Sequence, residues 1–159
     1  MKLKFFAIAL AALSLIACEK TPEPMVPEEA DYTGTLTVEA STGTVVDDAS
    51  RLNFTPSEDG ATADIVLFQA KFAPGMPLRL DTTISGVTLT STPEKIILSG
   101  EGIIPTAMGG IPFEQYKISD LKGEIVGDKI SLSFKLGSAP ATYVGKLSEA
   151  PAETEPAAQ

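Results

Sequence analysis

The chain has 159 residues, with no histidine, no tryptophan and a single cysteine, Cys18. Without histidine it lacks the commonest general base and the commonest nitrogen ligand for metals. Without tryptophan it lacks the usual aromatic platform for flat ligands. One cysteine cannot close an internal disulfide or build a multi-cysteine metal site. Basic side chains are also scarce: 12 Lys and Arg stand against 21 Asp and Glu, a net charge of −9. Binding to phosphate backbones needs basic charge to displace counterions, so no nucleic-acid partner is expected. A membrane-spanning run is missing as well. The apolar stretch Phe5–Ala17 is thirteen residues long with Ser14 inside it, and as a helix it would rise about 20 Å against a hydrocarbon layer of about 30 Å.

What the chain does have is 43% apolar and 21% charged residues, enough for a packed core. The acidity is concentrated at its ends. Residues 19–31, EKTPEPMVPEEAD, hold five acids, one base and three prolines, and the last residues, EAPAETEPAAQ, hold three more acids. Between Tyr32 and Ser148 thirteen acids meet nine bases, close to balance. The expected organisation is a leader over residues 1–17, a disordered tether over 18–31, one domain over 32–148 and a disordered acidic tail over 149–159.

Lys2 and Lys4 followed by a short apolar run are the marks of a secretory signal peptide. That run ends Leu15-Ile16-Ala17-Cys18, which resembles the lipobox of bacterial lipoproteins. The resemblance implies that Cys18 is acylated and becomes the first residue of the mature chain, anchored to a membrane. Each buried methylene contributes roughly 0.8 kcal/mol, so several acyl chains hold durably where one does not. Glu19 follows the cysteine rather than Asp, so the inner-membrane retention signal is not evident and the outer membrane of the cell envelope is favoured, with either face open.

From residue 32 onward the recurring pattern has period two, that of half-buried strands. In DKISLSFKLG the side chains of Ile130, Leu132, Phe134 and Leu136 fall on one face and Lys129, Ser131, Ser133 and Lys135 on the other. Leu36 and Val38 alternate likewise in TGTLTVEA, and Leu121, Gly123 and Ile125 in LKGEIVGD, which reaches the next strand through the turn dipeptide Gly127-Asp128. Further strands are expected at 50–55, 63–72, 78–90, 95–101, 113–119 and 141–148, with Gly86 marking a bulge. Eight or nine short antiparallel strands in about 115 residues hide their edges either as a closed up-and-down barrel or as a two-sheet sandwich. The sandwich often carries a tryptophan and a disulfide, both absent here, so the all-β barrel is the expectation.

The segments DYTGTLTVEAS, GVTLT, LSGEGIIPTAMGGIPFEQYKISDLKGEIVGDKISLSFKL and ATYVGKL are similar to the calycin-like, lipocalin-related bacterial lipoproteins, over nearly all of residues 31–148. The most specific part runs from Ser99 to Leu136. The resemblance implies an eight-stranded calycin-type barrel behind a lipid anchor, and little about activity. Lipocalin ligand residues are not carried over, because Tyr32-Thr33-Gly34 stands where those proteins have Gly-x-Trp, and there is no disulfide.

Catalytic patterns fail when tested. Ser119-Asp120-Leu121-Lys122 fits Ser-x-x-Lys, but in a strand positions three apart face opposite sides. The acid pairs Asp47-Asp48 and Glu58-Asp59, expected in loops, lack the alternating oxygens and turn glycine of a calcium loop. Gly100-Glu101-Gly102 lacks the third glycine of a nucleotide fingerprint. No cofactor is implied, and the chain is not read as an enzyme. Two loops stand out by staying apolar: FAPGMPLRL at 72–80 and GIIPTAMGGIPFEQY at 102–116. Such loops fold inward as a plug, line a barrel mouth for a ligand, or face a partner. Phe72, Met76, Met108, Ile111 and Phe113 are the candidate ligand-binding residues. Small inward residues (Gly34, Gly100, Gly123, Gly145 and Ala40) would open interior space, which Leu36, Ile125, Leu132 and Phe134 would close. The expected function is a binding module for a small apolar molecule; the alternative is a ligand-free scaffold or partner-binding envelope domain, such as an adhesion, inhibitor or accessory protein. Cys18→Ser is expected to release the chain from membranes or stall its processing, and unchanged membrane fractionation of that variant would contradict the anchor.

Overall fold

The structure, a computed structural model, describes residues 21–149. Ten strands run through them: β1 Ala30–Ala40, β2 Gly43–Pro56, β3 Thr62–Ala70, β4 Leu80–Ser91, β5 Ile96–Gly100, β6 Thr106–Ala107, β7 Ile111–Pro112, β8 Ile118–Val126, β9 Lys129–Leu136 and β10 Ala139–Leu147. Every pairing is antiparallel. β1 is bonded to both β2 and β10, and the ring continues through β9, β8, β5, β4 and β3 back to β2. The result is a closed eight-stranded barrel, and closure of β3 onto β4 sets the sandwich aside. β6 and β7 form an additional hairpin that pairs with β4 at Thr82 and Thr83.

Alternation aims one side chain of every two into the ring. Leu36, Leu52, Ile65, Leu67, Ile84 and Leu98 are wholly buried, and Ile130, Leu132, Phe134 and Leu136 from β9 close the same core. Where the alternation breaks, a bulge restores it. Ala63 pairs with Val87 but Ile65 with Ile84, so β4 has one extra residue. Gly86 sits there at φ +76, its N–H donating to Asp64 Oδ1 at 3.1 Å, and both Ile84 and Val87 stay inside. A second bulge, in β8, places Asp120 at φ +52, with its N–H donating to Glu101 Oε2 at 2.8 Å and its carboxylate 2.7 Å from Lys135 Nζ. Contrary to the expectation for positions three apart in a strand, the bulge leaves Ser119 and Lys122 on the same outer face, opposite Lys135 and Ser133. Hydrogen bonding to Lys135 first, then its charge, holds the Asp120 carboxyl below its ordinary range.

The inward glycines do not open space. A Cβ on Gly34 would overlap the Val144 carbonyl oxygen and Gly145 Cα, and one on Gly145 would stand 2.8 Å from the Tyr143 ring. On Gly123 it would meet Leu132 Cδ2 and the Ser131 carbonyl, and on Gly100 it would be 2.7 Å from Ile103 Cδ1. Gly34 and Gly145 face each other in the β1–β10 register, so here the backbones come together and the Tyr143 ring fills the space. Its hydroxyl donates to the Ser50 carbonyl at 3.1 Å. Ala40 stands at the end of β1, half-buried, and not in the core.

Other details differ from the sequence expectation. The stretch 113–119 is not one strand: Glu114–Tyr116 make a 3-10 turn, closed by the Tyr116 N–H on the Phe113 carbonyl at 3.0 Å, and β8 starts at Ile118. The turn lets Tyr116 pack against Phe72 with the rings tilted at 57° and their centres 5.3 Å apart, a packing gain that continued alternation would forfeit. β2 begins at Gly43, seven residues before the expected start, and holds Asp47-Asp48 at a bulge instead of in a loop. Glu58-Asp59 does lie in a turn, where Asp59 accepts from the Ser57 hydroxyl at 2.6 Å and the Ala61 N–H at 3.0 Å.

Two ends result from the meander. One carries the β2–β3, β4–β5 and β8–β9 turns, the other the β1–β2 and β9–β10 turns and the two long apolar segments. The segment 21–29, within the expected tether, has no regular structure yet lies across the first end. The Met25 N–H donates to the Thr92 carbonyl at 2.9 Å, and the side chain packs against the core. Pro27 Cδ lies 3.9 Å from where a Cβ on Gly60 would stand, and Asn53 donates to Asp31 Oδ1 at 3.0 Å and Glu29 Oε1 at 3.4 Å.

Gly34→Ala forces backbone apart at the β1–β10 seam and is expected to cost about 3 kcal/mol in urea unfolding. Gly86→Ala meets no atom within 4 Å and carries only left-handed strain, about 1–2 kcal/mol; equal losses for the two would contradict the close approach. Burial also raises the Tyr143 and Tyr32 phenols above their ordinary 10.0. In the unfolded chain they ionise at their ordinary value, while inside the barrel they resist it. Stability is therefore full below pH 10 and falls as pH rises beyond it, and Tyr143→Phe should flatten that fall in alkaline denaturation curves.

Candidate functional site

With the barrel interior filled by side chains, open apolar space is found at the mouth. A groove of about 490 Å³ lies there. One wall is the β3–β4 connection, contributing Ala73, Gly75, Met76, Pro77 and Leu78, with Leu80 as β4 begins. Met108 from the β6–β7 turn, Phe113, Gln115 and Tyr116 from the 3-10 segment, and Thr42 from the β1–β2 turn form the other. No lining residue is charged, in a chain of net charge −9. The polar groups offered are the Thr42 and Tyr116 hydroxyls and the Gln115 amide.

Local sequence explains the shape. Pro74 and Pro77 bracket Gly75, and the Met76 N–H donates to the Ala73 carbonyl at 3.1 Å, so the segment turns tightly and presents Met76 to the ring. Met76 Sδ in turn lies 3.5 Å from the Phe72 N–H. On the opposite wall Phe113 and Tyr116 stand with ring centres 6.3 Å apart. Met108, Gly109 and Gly110 all adopt positive φ, at +52, +82 and +104. Among the described residues two other non-glycine residues have positive φ, and each is held by a carboxylate: Gln69 through Asp81 and Asp120 through Glu101. Met108 has no such hold and its side chain is 61% exposed, which leaves strain at the groove.

A second notch of about 330 Å³ shares Leu80 and Met108 with the groove, but its chemistry is polar. It holds Gln69, Arg79, Asp81, Thr83 and Thr106. Arg79 Nη1 is 2.6 Å from Asp47 Oδ2 and also donates to the Gln69 carbonyl at 3.1 Å, while Gln69 Nε2 donates to Asp81 at 3.0 Å. Those charges are already engaged with one another. Thr82, next along the inward face from Leu80, is 2% exposed and its hydroxyl has no partner among the described residues.

Of the candidate residues, Met76, Met108 and Phe113 line the groove together. Phe72 lies beneath it, 3% exposed and packed at a tilt against Tyr116, as part of the core. Ile111, on β7, is 50% exposed and outside the lining. Cys18 lies outside the described residues. Tyr116, Gln115 and Leu78 belong to the two apolar loops, so that signal reaches them although they were not singled out. Thr42 comes from a distant turn that nothing in its own neighbourhood marks. Among the described residues no group of three or more Cys, Asp or Glu is placed to hold a metal ion, and none of their helices is long and apolar enough to cross a membrane.

Comparison with known proteins gives no match. No family model, curated protein or solved structure matches the chain.

Proposed function

We propose that the chain is a calycin-like binding module of the bacterial cell envelope, held to the outer membrane through acylated Cys18, whose barrel mouth takes a small, neutral, apolar molecule. The observation that carries the ligand reading is the uncharged groove of about 490 Å³ on an otherwise filled barrel. A carboxylate or ammonium there would lose hydration and find no opposite charge, so the occupant is neutral. Met76 and Met108 suit an apolar surface of variable shape, and Phe113 and Tyr116 supply flat contact. Burying about 250 Å² of ligand surface returns roughly 6 kcal/mol, which corresponds to binding in the tens of micromolar. Binding without catalysis fits a chain that has no histidine and a pocket that pairs no nucleophile with a base. The anchor is supported by the sequence Leu15-Ile16-Ala17-Cys18.

A second reading has its own support. Around the mouth Leu78 is 62% exposed, Met108 61%, Ile111 50% and Ile104 42%, an apolar rim that would suit a protein partner. Titration of the signal-free chain with an environment-sensitive neutral dye separates the two. Saturable single-site binding is expected. Met76→Glu and Phe113→Glu should each weaken it at least tenfold, while Ile111→Glu, outside the lining, should leave it unchanged. Absence of saturable binding, or equal behaviour of all three variants, would sink the ligand reading and turn attention to proteins captured by the rim.

A further inference from the structure

The groove and the chain's entry into the barrel are at opposite ends. Every lining residue belongs to a connection at the mouth or, as Leu80, begins a strand there, whereas the segment 21–29 crosses the other end, tied by Met25 to Thr92 and by Asn53 to Glu29 and Asp31. Six residues, and so seven Cα-to-Cα steps, separate Cys18 from Met25. Fully extended they span at most about 25 Å.

The wall they would have to climb is longer. β4 has 12 residues and runs from the Thr92 turn to Leu80 in the groove. At 3.3 Å per residue that is about 40 Å of strand, or about 30 Å along the axis at the usual barrel tilt. To bring the mouth down to the membrane, the leash would have to run the full height of the wall and turn over the rim. It is too short. Only if Met25 and the residues after it came away from the closed end would enough chain be freed.

We infer that the barrel stands with its closed end toward the membrane and its apolar mouth toward the aqueous side, so its ligand arrives from water and not by lateral entry from the anchoring bilayer. This rests on the anchor and the ligand pocket proposed above. The exposed rim of Leu78, Met108 and Ile104 is then not a membrane-insertion surface, although its composition alone would suit one. It is presented to whatever the aqueous compartment carries.

The test uses the full, lipidated chain in phosphatidylcholine–phosphatidylethanolamine vesicles containing a lipid quencher. With Cys18 acylated, an introduced cysteine is the free thiol for a fluorophore. Ser41→Cys and Ser138→Cys report on two sides of the rim without touching the groove, and Glu58→Cys reports on the closed end. All three sites are exposed turn residues, so the variants should fold. Quenching at least threefold stronger at position 58 than at 41 and 138 is expected. Quenching at the rim equal to or above that at 58 would overturn the orientation. A chain that fails to float with the vesicles would sink the anchor reading, and this inference with it.

The second arm identifies the ligand's source. A water-soluble neutral dye should bind the anchored and the signal-free chain with equal Kd, and the same dye carried on a bilayer-confined phospholipid should not bind. Occupancy by the bilayer-confined dye would overturn entry from water. If the soluble dye binds neither form, the pocket reading fails, and with it the inference about the ligand's route, while the quenching profile alone decides the orientation.

Discussion

Closing eight strands into a ring leaves an interior about as deep as the side chains that point into it. Here those side chains are Leu, Ile, Phe and Tyr from every strand of the ring, and even the inward glycines mark places where backbones or rings come too close for a Cβ. The consequence is spatial. Because the centre of the barrel is filled, any open apolar volume must be built by the connections at one end. The β3–β4 loop and the 3-10 turn build it, leaning on Phe72 as their shared support.

Ring closure also determines where the backbone is bent. Bulges at Gly86 and Asp120 keep inward residues inward as the strands coil, and each is held by a carboxylate accepting a backbone N–H, Asp64 at the first and Glu101 at the second. Two of the thirteen acids in the balanced central segment thus act as local braces on bulged backbone, and Asp81 does the same for Gln69. The ion pairs of Lys95 with Glu124 and Lys135 with Asp120 are exposed, and such pairs contribute little stability by themselves.

Much of this was legible in the chain. The period-two runs of β1, β8 and β9 name their own inward faces, Gly127-Asp128 names its hairpin with Gly127 at φ +58, and Gly86 names its bulge. The two loops that fail to turn polar contain all the groove residues except Thr42. What was not legible depends on partners far away in sequence. Gly34 and Gly145 look like space until the β1–β10 register sets them opposite each other. The early part of β2 is disguised by its bulge at Asp48-Ala49, which breaks alternation where a strand would otherwise be recognised. The 113–119 stretch carries strand-like residues, but the tilted ring contact of Tyr116 with Phe72 outweighs that local preference. The sides of Met76 and Ile111 also could not be told apart, since both sit in apolar loops and only the fold turns one inward.

The β6–β7 hairpin fills a gap in the wall. β5 leaves β4 after Ser99 pairs with Thr88, and β6 takes over as neighbour nearer the mouth, at Thr82 and Thr83. The sheet therefore has one unpaired flank among the described residues, and it is β7: two residues long, ending in Pro112, which has no N–H to offer. Molecules of this chain crowded side by side would find no ladder of free backbone groups on which to add a neighbour's strand. A hairpin that completes the wall thus also protects a densely packed layer of these barrels from fusing edge to edge.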